Sequence, residues 1–229
     1  MPAPRRLTLP PPFDPHWLEA GDVGAQAQRL APDHGAGTLV WGFRPGAAPG
    51  RLDFAVVLEP EDALHSARRA FAAGLVALVE ALAAHCAPDR AIRLTPRGEV
   101  RLDGSRLGGL RLIAAPGAED AVPDWLVLCA ELIADRDHLA APGDYPASIS
   151  LAEQGFDDPP AIVESFAAHL MLAFDRWKHE GFGWIAAQVT GRLTEGRMED
   201  AGWAHGPTRL SFAALTRDAP WRDHGGPIL

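Results

Sequence analysis

The stretch Glu99–Gly109 carries the residues best suited to chemistry. Glu99 and Arg106 flank an Asp103-Gly104 turn, and Gly108-Gly109 follows at once. A guanidinium such as that of Arg106 binds a phosphate or a carboxylate through two parallel hydrogen bonds. A glycine pair lets backbone approach a ligand closely, and it equally marks a bulge or turn. Arg90, Arg93, Arg97, Arg101, Arg106 and Arg111 crowd this region of a chain whose formal net charge is −9. Such a cluster is either an anion site or a solvated strand face, and Glu99 is either a site carboxylate or a surface acid at a strand start. The residues alone leave both pairs of readings open.

Other chemistry is missing from the pattern. There is no Walker loop, no Gly-x-Gly-x-x-Gly, no His-Glu-x-x-His, no Cys-x-x-Cys and no Gly-x-Ser-x-Gly. The nine histidines are scattered and predict no metal site. Cys86 and Cys129 lie in apolar contexts and read as buried free thiols, a poor setting for a nucleophile. Asp157-Asp158, just before Pro159, reads as a helix start rather than a catalytic carboxylate pair.

The elements that must position these residues follow from periodicity. Met1–Asp14 is Pro-rich and reads as an arm. Pro15–Leu30 reads as a helix broken at Gly21–Gly24 and ended by Ala31-Pro32. Thr38–Phe43 and Leu52–Leu58 are apolar strands, joined by the Gly- and Pro-rich loop Arg44–Gly50. Apolar residues from Leu64 to Leu82 recur at helical spacing and predict one helix over Glu61–His85. Ala91–Leu94, Glu99–Leu102 and Leu107–Ala114 are successive strands, with Asp103-Gly104 as a hairpin turn. Trp125–Ile133 reads as a central strand, and Pro159–His179 and Phe182–Leu193 as helices. The fold class is α/β, a mixed sheet with helices packed on it; hairpin-length links argue against a doubly wound sheet. The organisation is an arm over 1–14, a main domain over 15–194 and a small extension over 195–229, which Trp203 and Trp221 anchor.

No signal peptide and no apolar run of membrane length is present, so the expected compartment is the cytoplasm. The negative net charge argues against nucleic acid or an anionic membrane as a partner.

Over roughly residues 15–193 the chain resembles the biotin and lipoate protein ligase family. The family's Trp-Pro-Asn-Asp, turn, Lys-Leu-x-Gly stretch corresponds to Pro96-Arg97-Gly98-Glu99, then Val100–Ser105, then Arg106-Leu107-Gly108-Gly109. Ala20–Val40 resembles the family's opening helix and strand, and Trp125–Ala134 the strand reading Gly-x-Gly-x-Asn, with the asparagine at or near Ile133. The motifs themselves depart. Asp22-Val23-Gly24-Ala25 stands where the family has Ser-Thr-Asn, and the Gly-Arg-Gly-Arg loop is reduced to Arg44, with Arg51 just after. Arg106 replaces the lysine, and Gly98-Glu99 replaces Asn-Asp.

The resemblance implies a class II aminoacyl-tRNA synthetase/biotin synthetase-like fold. It also implies ATP with Mg and a biotin- or lipoate-like acid as ligands, and a biotinyl/lipoyl-type carrier domain as partner. By position, Arg106 and Glu99 would be catalytic, while Gly108, Gly109, Arg44, Arg51 and Asp22 would bind acyl acid or nucleotide. Arg106 supplies charge for an acyl-adenylate but cannot act as a base. The only lysine, Lys178, forms no Cys-Lys arrangement for octanoyl transfer. Two functions are therefore expected: a ligase-like protein with an altered acyl-adenylate pocket, or a non-catalytic interaction module of the same fold.

Overall fold

A computed structural model describes residues 5–229. In chain order the main body comprises β1 (Asp14–Trp17), α1 (Val23–His34), β2 (Thr38–Arg44), β3 (Gly50–Leu58), α2 (Leu64–Ala67), α3 (Ala70–Ala83), β4 (Ile92–Leu94), β5 (Glu99–Leu102), β6 (Ser105–Ala114), β7 (Leu126–Asp135), α4 (Pro159–Glu180) and α5 (Phe182–Arg192). The C-terminal part adds β8 (Arg197–Glu199), β9 (Gly202–His205), β10 (Thr208–Ser211), α6 (Phe212–Leu215), β11 (Arg222–Asp223) and β12 (Gly226–Pro227). Strands β1 to β7 form one sheet in the order β1-β2-β3-β7-β6-β5-β4. Only the β1–β2 pairing is parallel, so the sheet is mixed.

Helices α3, α4 and α5 cover one face, over a core that includes Leu52, Phe54, Leu75, Leu110, Leu128 and Phe166. Gly74 sets the distance of α3 from the sheet: a Cβ there would lie 2.8 Å from Leu110 Cδ2 and 3.0 Å from Leu128 Cδ1. The opposite face is covered at one end by α1, which packs Val23, Ala27 and Ala31 on Val40, Ala55, Val57, Val127 and Cys129. At its other end the chain returns after α6 and lays β12 across β6 and β7.

Two expected elements differ. The segment after Pro15 is not a helix: Asp14–Trp17 is an edge strand, where proline is tolerated, and Trp17 packs edge-on against Trp41 with ring centroids 4.6 Å apart. The helix starts only at Val23, capped by Asp22, and Pro32 does not end it; the chain continues to Gly35, whose N–H closes on the Ala31 carbonyl at 3.0 Å. The helix expected over Glu61–His85 is split between Ala67 and Ala70. There the ladder tightens, with the Phe71 N–H on the Arg68 carbonyl and the Ala72 N–H on the Arg69 carbonyl.

Candidate functional site

Five residues stand directly opposite one another in successive strands: Gly42, Asp53, Glu131, Gly109 and Glu99, from β2 through β3, β7 and β6 to β5. Cross-strand partners share a face, so this row puts three carboxylates on the face that α1 and the C-terminal segment cover from either end. Asp53 and Glu131 are each only 1% exposed. A buried carboxylate must be paired, and arginines supply the pairs.

Glu131 is the hub. Its Oε1 accepts from Arg111 Nε at 2.9 Å, and its Oε2 accepts from Arg222 Nε at 2.9 Å and from Arg51 Nη2 at 3.3 Å. Asp53 pairs with Arg44 and, at 3.0 Å, with Arg51. Asp22 accepts the Ala25 N–H at 2.8 Å as the cap of α1, and lies 3.3 Å from Arg111 and 3.9 Å from Arg222. Four guanidinium groups thus meet three carboxylates, a surplus of one positive charge. Burial pushes the Asp53 carboxyl up to about 6; Arg51 and Arg44 oppose the shift, and the neighbouring charge of Glu131 adds to it. Burial also disfavours charge on Asp22, but the Ala25 N–H, Arg111 and Arg222 outweigh it and hold that carboxyl below its ordinary value. Burial drives the Cys129 thiol far upward, which agrees with its reading as a poor nucleophile.

Between α1 and the C-terminal segment a polar cavity of about 350 Å³ opens, lined by Gly21, Asp22, Arg44, Arg51, Arg222 and His224. Arg222 also lines a neighbouring cavity of about 570 Å³, together with Arg68, Arg217 and Arg111 and Leu112 of β6. A larger cavity of about 610 Å³ lies elsewhere, beside Leu58, Phe174 and Trp177, and its mostly apolar wall gathers no set of converging donors.

The residues predicted from sequence fall into two groups. Asp22, Arg44 and Arg51 meet in the polar cavity. Glu99 and Arg106 instead pair with each other at 3.1 Å, while Arg101 holds the same Glu99 oxygen at 3.0 Å. Arg106 also donates to the Ile228 carbonyl at 3.0 Å. The pairing of β5 with β6 slips between Val100 and Arg101, leaving Leu107 as the extra residue of a bulge, and Gly108 beside it adopts φ 151°. Gly109 lies under Trp221: a Cβ there would be 2.5 Å from the indole, which is 1% exposed and donates its N–H to the Arg97 carbonyl at 3.1 Å. The close approach that this glycine permits is therefore taken by the chain's own C-terminal segment.

For Arg111 the solvated-face reading is the one that fails; its side chain is 19% exposed and ties Glu131 to Asp22. Glu131, Asp53, Arg222 and His224 were missed. For Glu131 a signal existed, since it is the one charged residue within the apolar run Trp125–Ile133 and a buried acid demands a cation.

Residues 9–191 match the model of the biotin/lipoate A/B protein ligase family. The chain belongs to that family. Among solved structures, a biotin protein ligase-like protein of unknown function from Silicibacter sp. TM1040 is 26% identical, with 87% of each chain covered and a TM-score of 0.73. The biotin protein ligase from Aquifex aeolicus in complex with biotin and ATP is 15% identical, covering 82% of this chain and 89% of its own, at a TM-score of 0.60. The biotin protein ligase from Leishmania major in complex with biotin is 13% identical, covering 88% and 87%, at 0.52. No curated protein matches. These likenesses establish the biotin protein ligase fold expected from the sequence.

The donor set bears on Mg²⁺. Asp22, Asp53 and Glu131 are each engaged by arginine, whereas Mg²⁺ needs oxygen ligands free of a competing cation. These carboxylates do not fit that ion. No helix among the described residues is long and apolar enough to cross a membrane.

Proposed function

We propose that this family member binds the anionic end of a carboxylic acid or a nucleotide in an altered acyl-adenylate pocket, at the cavity of Asp22, Arg44, Arg51 and Arg222. The observation that carries the reading is the convergence of three guanidinium groups and His224 on one opening, with Arg111 just beneath. Arg44 and Arg222 make few bonds to the protein, so each keeps N–H groups for an incoming oxygen. Seated on Arg222, a carboxylate or phosphate reaches donors of both polar cavities. If the protein ligates, Arg106 neutralises developing charge and Glu99 orients it. That step requires Trp221 and Ile228 to leave Gly109 and Arg106.

The second reading, an interaction module without small-molecule chemistry, draws on that same covering segment. Melting in the presence of ATP, AMP, biotin, lipoate and octanoate, combined with pyrophosphate exchange, separates the readings. A ligand present at 100 times its Kd adds about 2.7 kcal/mol, or roughly 5–11 °C for a chain of this size. Stabilisation that disappears in Arg44→Ala and Arg51→Ala supports the anion pocket, and exchange with any acid supports ligation. If no acid or nucleotide raises the melting temperature, the interaction module takes its place.

A further inference from the structure

We infer that Asp14, His16 and His34 form a binding site for a divalent transition metal ion of the zinc class. Their ligating atoms all lie within 4.8 Å of one another, and His16 Nε2 is 3.0 Å from Asp14 Oδ2. The rings of His16 and His34 meet edge to face with centroids 5.0 Å apart. Two imidazoles and a carboxylate are a donor set suited to Zn²⁺, with a fourth position for water. Tetrahedral bonds of about 2.0–2.1 Å place ligand atoms roughly 3.3 Å apart, so donors already within 4.8 Å of one another have little distance to close.

The backbone holds these donors in register. Asp14 and His16 are two apart on strand β1 and share a face. His34 is the last residue of α1, and the turn through Gly35 and Gly37, both at positive φ, leads directly into β2. Thr38, first in β2, is the register partner of Asp14 and donates its hydroxyl to the Gly35 carbonyl at 2.8 Å. The Asp14 N–H bonds the Gly37 carbonyl at 3.0 Å. The donors therefore project from one short, fully tied corner rather than from independent loops. Bound metal would fasten the edge strand β1 to the end of α1.

The test is titration of the full chain with Zn²⁺, and with Co²⁺ as a spectroscopic probe, while melting is followed in parallel. One ion per chain, four-coordinate Co²⁺ bands and a raised melting temperature are expected. Because each ligand is one of three, His16→Ala, His34→Ala and Asp14→Asn should each weaken binding at least as much as loss of an outer partner does, roughly 10–100-fold. His205→Ala, which removes the isolated pair with Glu195 at 3.3 Å, should change nothing. All three ligands are partly or fully exposed, so the variants should fold, and circular dichroism verifies this. Absence of one-to-one binding, or binding undiminished in the folded His16→Ala/His34→Ala double variant, overturns the assignment.

Discussion

At the scale of single residues, Glu131 decides the character of the site. It sits in the middle strand of the sheet, and three arginines from three different elements converge on it. Glu131→Gln keeps its shape but leaves Arg51, Arg111 and Arg222 without that charge. Breaking one side of a buried ion-paired cluster costs about 3–5 kcal/mol, which urea unfolding should register. Asp53 makes a pH-dependent contribution. Its carboxyl titrates near 6 when folded, above its ordinary 3.8, so the folded state binds the extra proton between those values. The stability it contributes is therefore full below about pH 4 and is lost as pH rises through 6. The same proton removes one of the cluster's negative charges, so affinity for sulfate, whose own charge is fixed over this range, should rise between pH 7 and 5. The groups facing Asp53 are Arg44, Arg51 and Glu131, and a His224→Gln background removes the cavity's only histidine. In that background Asp53→Asn should flatten both slopes; slopes that persist would place the titrating group elsewhere.

At the scale of elements, the C-terminal segment controls access to half of the site. Trp221 fills the niche over Gly109, Arg51 donates to the Gly225 carbonyl, and Arg106 donates to that of Ile228. Trp221→Ala removes the buried anchor, and tryptic cleavage at Arg217 and Arg222 should accelerate while the main sheet stays protected. The same variant should bind octanoate more tightly than the unaltered chain, because Gly109 becomes accessible; unchanged octanoate affinity in a segment shown to be released would separate access from binding. Much of the element layout was legible in sequence because it rests on local pattern. Asp103 at φ 51° and Gly104 at φ 89° make the turn their residue types predict; the apolar run Leu52–Leu58 lies inside a strand, and Trp125–Ile133 does so from Leu126 onward. What was not legible is non-local. Trp221 reaches Gly109, and Arg222 reaches Glu131, across about a hundred residues, and no spacing rule joins them. Asp14–Trp17 was missed because a short edge strand containing proline carries little pattern of its own; pairing with Thr38–Trp41 makes it a strand.

At the scale of the molecule, a net charge of −9 surrounds a cavity rich in arginine. The fold as a family member was readable from the order of elements, whereas the site was readable only in part: the resemblance named Asp22, Arg44 and Arg51, but not the convergence of arginines from β2, β3, β6 and β11. That arrangement has a consequence in ionic strength. An ordinary surface patch of arginines loses anions as salt is added, since exposed charges farther apart than about 8 Å are screened at physiological strength. Here the guanidinium groups are pinned by buried carboxylates, and each side chain is no more than 20% exposed. The acidic exterior, by contrast, repels an approaching anion through water, where added salt weakens the repulsion. Phosphate should therefore associate faster as sodium chloride increases while its dissociation rate barely moves, and its affinity should hold steady or rise over a range in which an open basic surface would release it.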